Sequence, residues 1–251
     1  MPFAEPLVLS SPLIAVAVLA IVFIGAVVQV GLGMGFGLTV APVLALLDPA
    51  LVPGSALFLG MATAMVGAFH ERDQIVWPEV GIGMVGRATG MVCGGILLLW
   101  LSDRSLFSLT FGVMVLLAVA LTVSGRTLPF TTRNLLSMGW LSGLTGIVTS
   151  VGAPPLALIY HSKPPDKARP TLAAFFALGG LIGLTILYAT GLAGWMTFAM
   201  ALFMAPAAVL GTWVGRHTKN KFDKRYRPAL LAIAAAASIF LIFQGVTGLA
   251  P

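Results

Sequence analysis

The sequence predicts an all-α integral membrane protein: about eight full transmembrane helices and two short re-entrant or half-helices, arranged as two inverted repeats of five segments. Three observations carry this prediction. Hydrophobic residues fill 59% of the 251 positions and charged residues only 9%, against about 25% charged in an ordinary soluble domain. Fourteen basic and eight acidic side chains cannot cover the surface of so apolar a chain, whose mean hydropathy is +1.03. The apolar residues fall in runs of about 20, the length that crosses a bilayer as helix, and landmarks of the first half, 1–125, recur in the second, 126–251.

The first run, about 12–30, follows a stretch that holds Glu5 but neither Lys nor Arg, and no small-residue cleavage site is present. It is expected to be a retained membrane helix, not a secretory leader. Next, QVGLGMGFGLTVAP sets Gly31, Gly33, Gly35 and Gly37 at alternate positions in apolar sequence and then adds Pro42. Such glycines let the chain turn within the membrane, and the apolar piece that follows, about 38–47, is too short to cross unaided. Runs at about 54–70, 79–101 and 105–124 complete the first half. The second half opens with a run at 134–149, breaks at GIVTSVGAPP (Gly146 to Pro155), and continues with a short piece at 153–161. Runs at about 171–190, 195–215 and 228–247 finish it.

The halves correspond. Gly33 and Pro42 are nine apart, as are Gly146 and Pro155; each pair is followed by a long apolar helix, a Trp (Trp77, Trp195) and a helix with Gly-x-x-x-Gly (Gly90 and Gly94, Gly211 and Gly215). With the short piece counted as a pass, each half makes five passes. An odd number sends the second copy into the membrane from the opposite side, the arrangement of secondary transporters that bind cargo near the midplane between interrupted helices.

Orientation follows from the basic residues. Loops 70–78, 125–133, 162–170 and 216–227 collect Arg72, Arg126, Arg133, Lys163, Lys167, Arg169, Arg216, Lys219, Lys221, Lys224, Arg225 and Arg227 on one face, which is therefore expected to be cytoplasmic. Glu5, Asp48, Asp103 and Arg104 fall on the other, with both termini extracytoplasmic, in a bacterial inner membrane. The formal charge of +6 is thus a topology signal and not a nucleic-acid footprint. The single cysteine, Cys93, excludes an intrachain disulfide.

The paired segments Gly33 to Pro42 and Gly146 to Pro155, the sequence Ile75–Val76–Trp77 and the Gly-x-x-x-Gly helices resemble the TauE/SafE family of sulfite and organosulfonate exporters over nearly the whole chain. The resemblance implies transport of small anions such as sulfite, sulfoacetate or related sulfonates, and other carboxylates, across the cytoplasmic membrane. Where the family pattern is richer in glycine, this chain has Thr149 and Ser150.

Arg87 lies near the centre of its helix, with no Asp or Glu in the middle of any other run. A central arginine costs roughly 2.5–3.5 kcal/mol on insertion scales, so it calls for a cavity and an anionic ligand, which a planar guanidinium fork suits. The alternative is an arginine paired with backbone carbonyls at a helix break, or one that snorkels along its stem. Gly33, Gly35 and Gly37 at the first break, and Thr149, Ser150 and Gly152 at the second, are expected to present helix N-termini to the same anion from opposite sides, with the two hydroxyls as extra donors. Gln29 either offers its amide to the ligand or satisfies freed backbone groups. Ser55 and Thr171, near the starts of their helices, either cap them or face the site. His70, His161 and His217 match no metal spacing and read as solvated loop residues, or, for one of them, as a proton-coupling group. Neither a nucleophile elbow nor a P-loop is present, so no enzymatic activity and no cofactor are expected. The expected partners are a small anionic substrate, the bilayer, a coupling ion (H+ or Na+) and, as one option, a second copy in a homodimer. An anion channel is the alternative function, and a membrane subunit without transport activity the next.

Overall fold

A computed structural model describes residues 6–32, 35–101, 103–217 and 227–248. Ten α-helices, and no strand, occur among the described residues: α1 Pro12–Leu32, α2 Phe36–Leu47, α3 Gly54–His70, α4 Trp77–Trp100, α5 Arg104–Val123, α6 Thr132–Thr149, α7 Ala153–Tyr160, α8 Pro165–Ala189, α9 Trp195–His217 and α10 Arg227–Thr247.

Six of these, α1, α4, α5, α8, α9 and α10, are long and apolar enough to cross a membrane. The expectation of eight full spans is met only to that extent. With 17 residues, α3 reaches about 25 Å, short of a hydrocarbon core of about 30 Å; the 18 residues of α6 include Arg133, Asn134 and several hydroxyls. The two short pieces are separate helices, as their breaks require. Helix α2 buries Phe36, Thr39, Val40, Ala41, Pro42, Leu44 and Ala45, which encloses it in protein; α7 buries Pro154, Pro155, Leu156, Leu158, Ile159 and Tyr160. Enclosure is what permits broken helices at membrane depth, since hydrocarbon offers their free backbone groups no partner.

One boundary differs from the sequence reading in a way that matters. Helix α8 begins at Pro165, not near 171: Pro165 stands at a position that lacks an in-helix acceptor anyway, and Asp166 favours the positive end of the helix. Charged residues and Pro170 made that stretch look like loop. Thr171 is therefore inside the helix, where its hydroxyl donates to Lys167 O and accepts from Val76 N.

Glycine decides which helices touch. Gly86 and Gly90 of α4 lie so close to the Leu136 and Trp140 carbonyls of α6 that a methyl group at either would overlap them, and Gly143 of α6 lies as close to the Arg87 carbonyl. The register advances in step on both helices, so α4 and α6 run parallel. In the same way Gly211 and Gly215 of α9 meet the Phe23 and Val27 carbonyls of α1, also parallel. Small residues at such seams let backbones approach where no hydrophobic effect drives association. Helices α3 and α8 run antiparallel, with Leu57 near Gly183 and Met61 near Gly180, and so do α5 and α10, with Gly112 near Ser238 and Leu109 near Gly245. When α1–α5 and α6–α10 are exchanged in order, these extensive pairings map onto one another: α4 with α6 onto α9 with α1, and α3 with α8 and α5 with α10 each onto itself.

The outer surface is apolar, with Leu13, Val16, Leu202, Val209, Leu210, Phe240 and Phe243 exposed. Trp77, Trp100 and Trp195, exposed at helix ends, stand where amphipathic rings favour the bilayer interface.

Candidate functional site

Arg87 occupies the α4–α6 seam and is only 2% exposed. Its side chain reaches α8, where Gly179 leaves room for it: a methyl group there would overlap Nε. The guanidinium carbon lies 5.0 Å from the ring centre of Phe175 and 5.1 Å from that of Phe176. A desolvated cation over an aromatic face gains about 2 kcal/mol, which offsets part of the cost of burial. Nη1 donates to the Ser142 hydroxyl, and Ser142 in turn donates to Gly152 O. Nε has no hydrogen-bond partner among the described residues. Neither described ion pair, Arg72–Asp73 or Lys163–Glu79, involves Arg87.

The two helix breaks converge beside this group. In the first, Gly35 takes φ 114°, a left-handed conformation that glycine adopts without strain, and Gln29 Oε1 accepts from Phe36 N at 2.9 Å. Of the alternatives for Gln29, the structure shows the capping one, and it also places the residue on the cavity wall. In the second break Ser150 takes φ 61°, a conformation costly for a residue with a side chain; its hydroxyl donates to Pro53 O at 2.8 Å, which ties the turn to α3. Gly37 packs directly on the Ser150 carbonyl, so the breaks abut.

Between them and Arg87 is a cavity of about 50 Å³ lined by Gln29, Gly35, Phe36, Gly37 and Leu38 at the first break, Ser150, Val151, Gly152 and Ala153 at the second, and Arg87, Gly146, Phe176 and four α3 residues. No carboxylate is among the described residues that line it. The first-turn N–H groups of α2 beyond Phe36 have no acceptor within their helix; at α7, Pro154 and Pro155 leave only Gly152 and Ala153 as donors. A cation and two partial positive helix ends thus share one small hollow, an arrangement that favours an anion. A water needs roughly 10–15 Å³ of such space, so the hollow fits a few waters or one small oxyanion.

Arg87, Gln29, Gly35, Gly37, Ser150 and Gly152 therefore come together. Gly33 lies outside the described residues. Thr149, Ser55 and Thr171 do not line the cavity: Thr149 Oγ1 donates to Thr145 O and accepts from Val151 N, and Ser55 Oγ donates to Thr197 O instead of capping α3. The hydroxyl protons of Thr149 and Ser150 are both spent on carbonyls, so neither is the free donor expected. Sequence reasoning missed Ser142, Phe175, Phe176 and Gly179. Two adjacent phenylalanines three residues before Gly-Gly were the available signal for the last three.

Compared with known families, residues 17–241 match the family described as Sulfite exporter TauE/SafE. No curated protein and no solved structure matches the chain.

Proposed function

We propose, for a chain that belongs to the TauE/SafE family of sulfite exporters, a secondary carrier that moves sulfite or a short sulfonate across the cytoplasmic membrane by alternating access. The observation that carries this reading is the acid-free cavity at Arg87. A buried guanidinium without a counter-ion is expensive in hydrocarbon, and a bound oxyanion neutralises it while accepting from the α2 and α7 termini. The size of the hollow favours a compact oxyanion over a bulky organic acid.

Alternating access fits two inverted repeats. Helices at equivalent places in the two halves, α3 and α8 or α5 and α10, run antiparallel, as a two-fold axis in the membrane plane demands. On this reading α3 and α6 complete eight passes, α2 and α7 are the half-helices, and both termini are extracytoplasmic. The basic ends of α8 and α9, with Lys167, Arg169 and Arg216, then face the cytoplasm.

Sulfite uptake into proteoliposomes tests the proposal. The parent protein is expected to saturate with sulfite, Arg87→Ala to lose uptake while keeping its thermal unfolding, and Arg87→Lys to lose most of it because the planar fork is gone. Undiminished uptake by Arg87→Ala would overturn the assignment. Flux that rises without saturation would identify a channel instead.

A further inference from the structure

Two larger chambers flank the central cavity. One, of about 350 Å³, shares Gln29 with it and is lined further by Thr63, Gly67, His70, Glu71, Arg169 and Arg216. The other, of about 370 Å³, shares Gly35 and Ala153 with it and is lined by Tyr160, His161, Lys163, Arg169 and Leu172 among others. Among the described residues, Arg169 alone lines both chambers. It is partly buried, and neither described ion pair engages it. Arg216 is otherwise occupied: Nη1 lies 3.2 Å from Nε2 of His70, whose Nδ1 is 2.8 Å from Val66 O. Lys163 pairs with Glu79 at 2.6 Å. Arg169 is thus the cation of this region without a described partner.

Its place on α8 relates it to the central site. Phe176, which stacks on the Arg87 guanidinium, is seven residues further on, two helical turns along the same face, about 10 Å away by helix geometry. An ion leaving Arg87 past Gln29 or past Gly35 meets Arg169 by either route. We propose that Arg169 is a second oxyanion-binding station, occupied in turn with Arg87. This rests on the carrier reading of the central cavity. One deep cation would hold an anion too firmly to release it; a second station of lower affinity, wetter and two turns away, lets binding be favourable at both ends of a short hop and final at neither. The same charge raises the local concentration of anions at the mouth and hence their rate of capture.

The test is calorimetric titration of the purified full chain with sulfite in neutral detergent, together with sulfite uptake from each side of proteoliposomes. The parent is expected to bind two ions. Arg169→Ala should bind one at nearly the parent's tighter affinity and raise the KM for sulfite by about tenfold on one side only, with Arg169→Lys restoring both. Arg87→Ala should lose the tighter event and keep the weaker. A single event in the parent, abolished by Arg87→Ala and untouched by Arg169→Ala, would sink the second station and leave the carrier standing. A sulfite event at Arg169 that added phosphatidylglycerol displaces at equimolar lipid would assign the residue to a lipid headgroup and overturn the proposal. Two events that both survive Arg87→Ala would sink the carrier assignment itself.

Discussion

Ser142 stands between Arg87 and Gly152, accepting from the guanidinium of one and donating to the carbonyl of the other. It joins the deepest charge of α4 to the turn that starts α7. Substitution Ser142→Ala leaves both partners without that bond in a buried place, a loss of about 1–3 kcal/mol. The expected outcome is a lower unfolding temperature and, beyond that, a smaller stabilisation by saturating sulfite, measured by thermal shift. An unchanged sulfite-induced shift would show that Ser142 only supports the fold.

Gln29 separates capping from cargo contact. Its Oε1 accepts from Phe36 N and the residue lines the cavity. Gln29→Glu retains the acceptor but sets a negative charge beside the anion. The fold should persist while sulfite affinity falls by about tenfold or more, since like charges a few ångströms apart repel by over 1 kcal/mol even in water-like surroundings. Parent-like affinity in Gln29→Glu would place the anion away from the first break.

Gly179→Ala tests where the guanidinium works. Alanine is the better helix former by about 1 kcal/mol, so α8 by itself should be no less stable. The added methyl overlaps Nε and pushes the group off the two phenyl faces. Uptake is expected to fall at least tenfold, about 1.4 kcal/mol of transition-state or binding free energy, with an unfolding temperature somewhat below the parent's, because the ring contacts given up, about 2 kcal/mol, outweigh the gain in helix propensity. Full uptake would mean that the position of the guanidinium between those rings does not matter.

Gly37→Ala acts on the backbone itself. Its methyl would overlap the Ser150 carbonyl, and no side-chain rotation relieves a contact of that kind. The two breaks must separate, so poor insertion or a low unfolding temperature is the expected outcome, read by detergent-solubilised yield and thermal shift. Gly81→Ala, on the same scale, should be silent, because nothing lies within 4 Å of the position.

How much of this was legible beforehand depends on range along the chain. The helices and their breaks follow from local pattern, and Arg87 was conspicuous because a lone charge is costly in an apolar run. The partners of Arg87 were not legible. Ser142 is 55 residues away, and it becomes a partner only because glycines bring α4 and α6 into backbone contact. The hydroxyl protons of Thr149 and Ser150 show the same limit in reverse. Hydroxyls near a site look like donors to a ligand until the nearby carbonyls of Thr145 and Pro53 are seen to take their protons. Thr171 was displaced by a local error: the charged first turn of α8 hid two turns of helix.

The glycine seam between α4 and α6 bears on how the molecule can move. Those helices come from different halves of the chain, yet their main chains touch at Gly86, Gly90 and Gly143, and those of α1 and α9 at Gly211 and Gly215. Each such pair behaves as one strut. In the carrier proposed above, the solid parts of a transport stroke therefore cut across the two halves of the chain, each strut holding one helix from either half, and the give must come from side-chain-packed joints elsewhere.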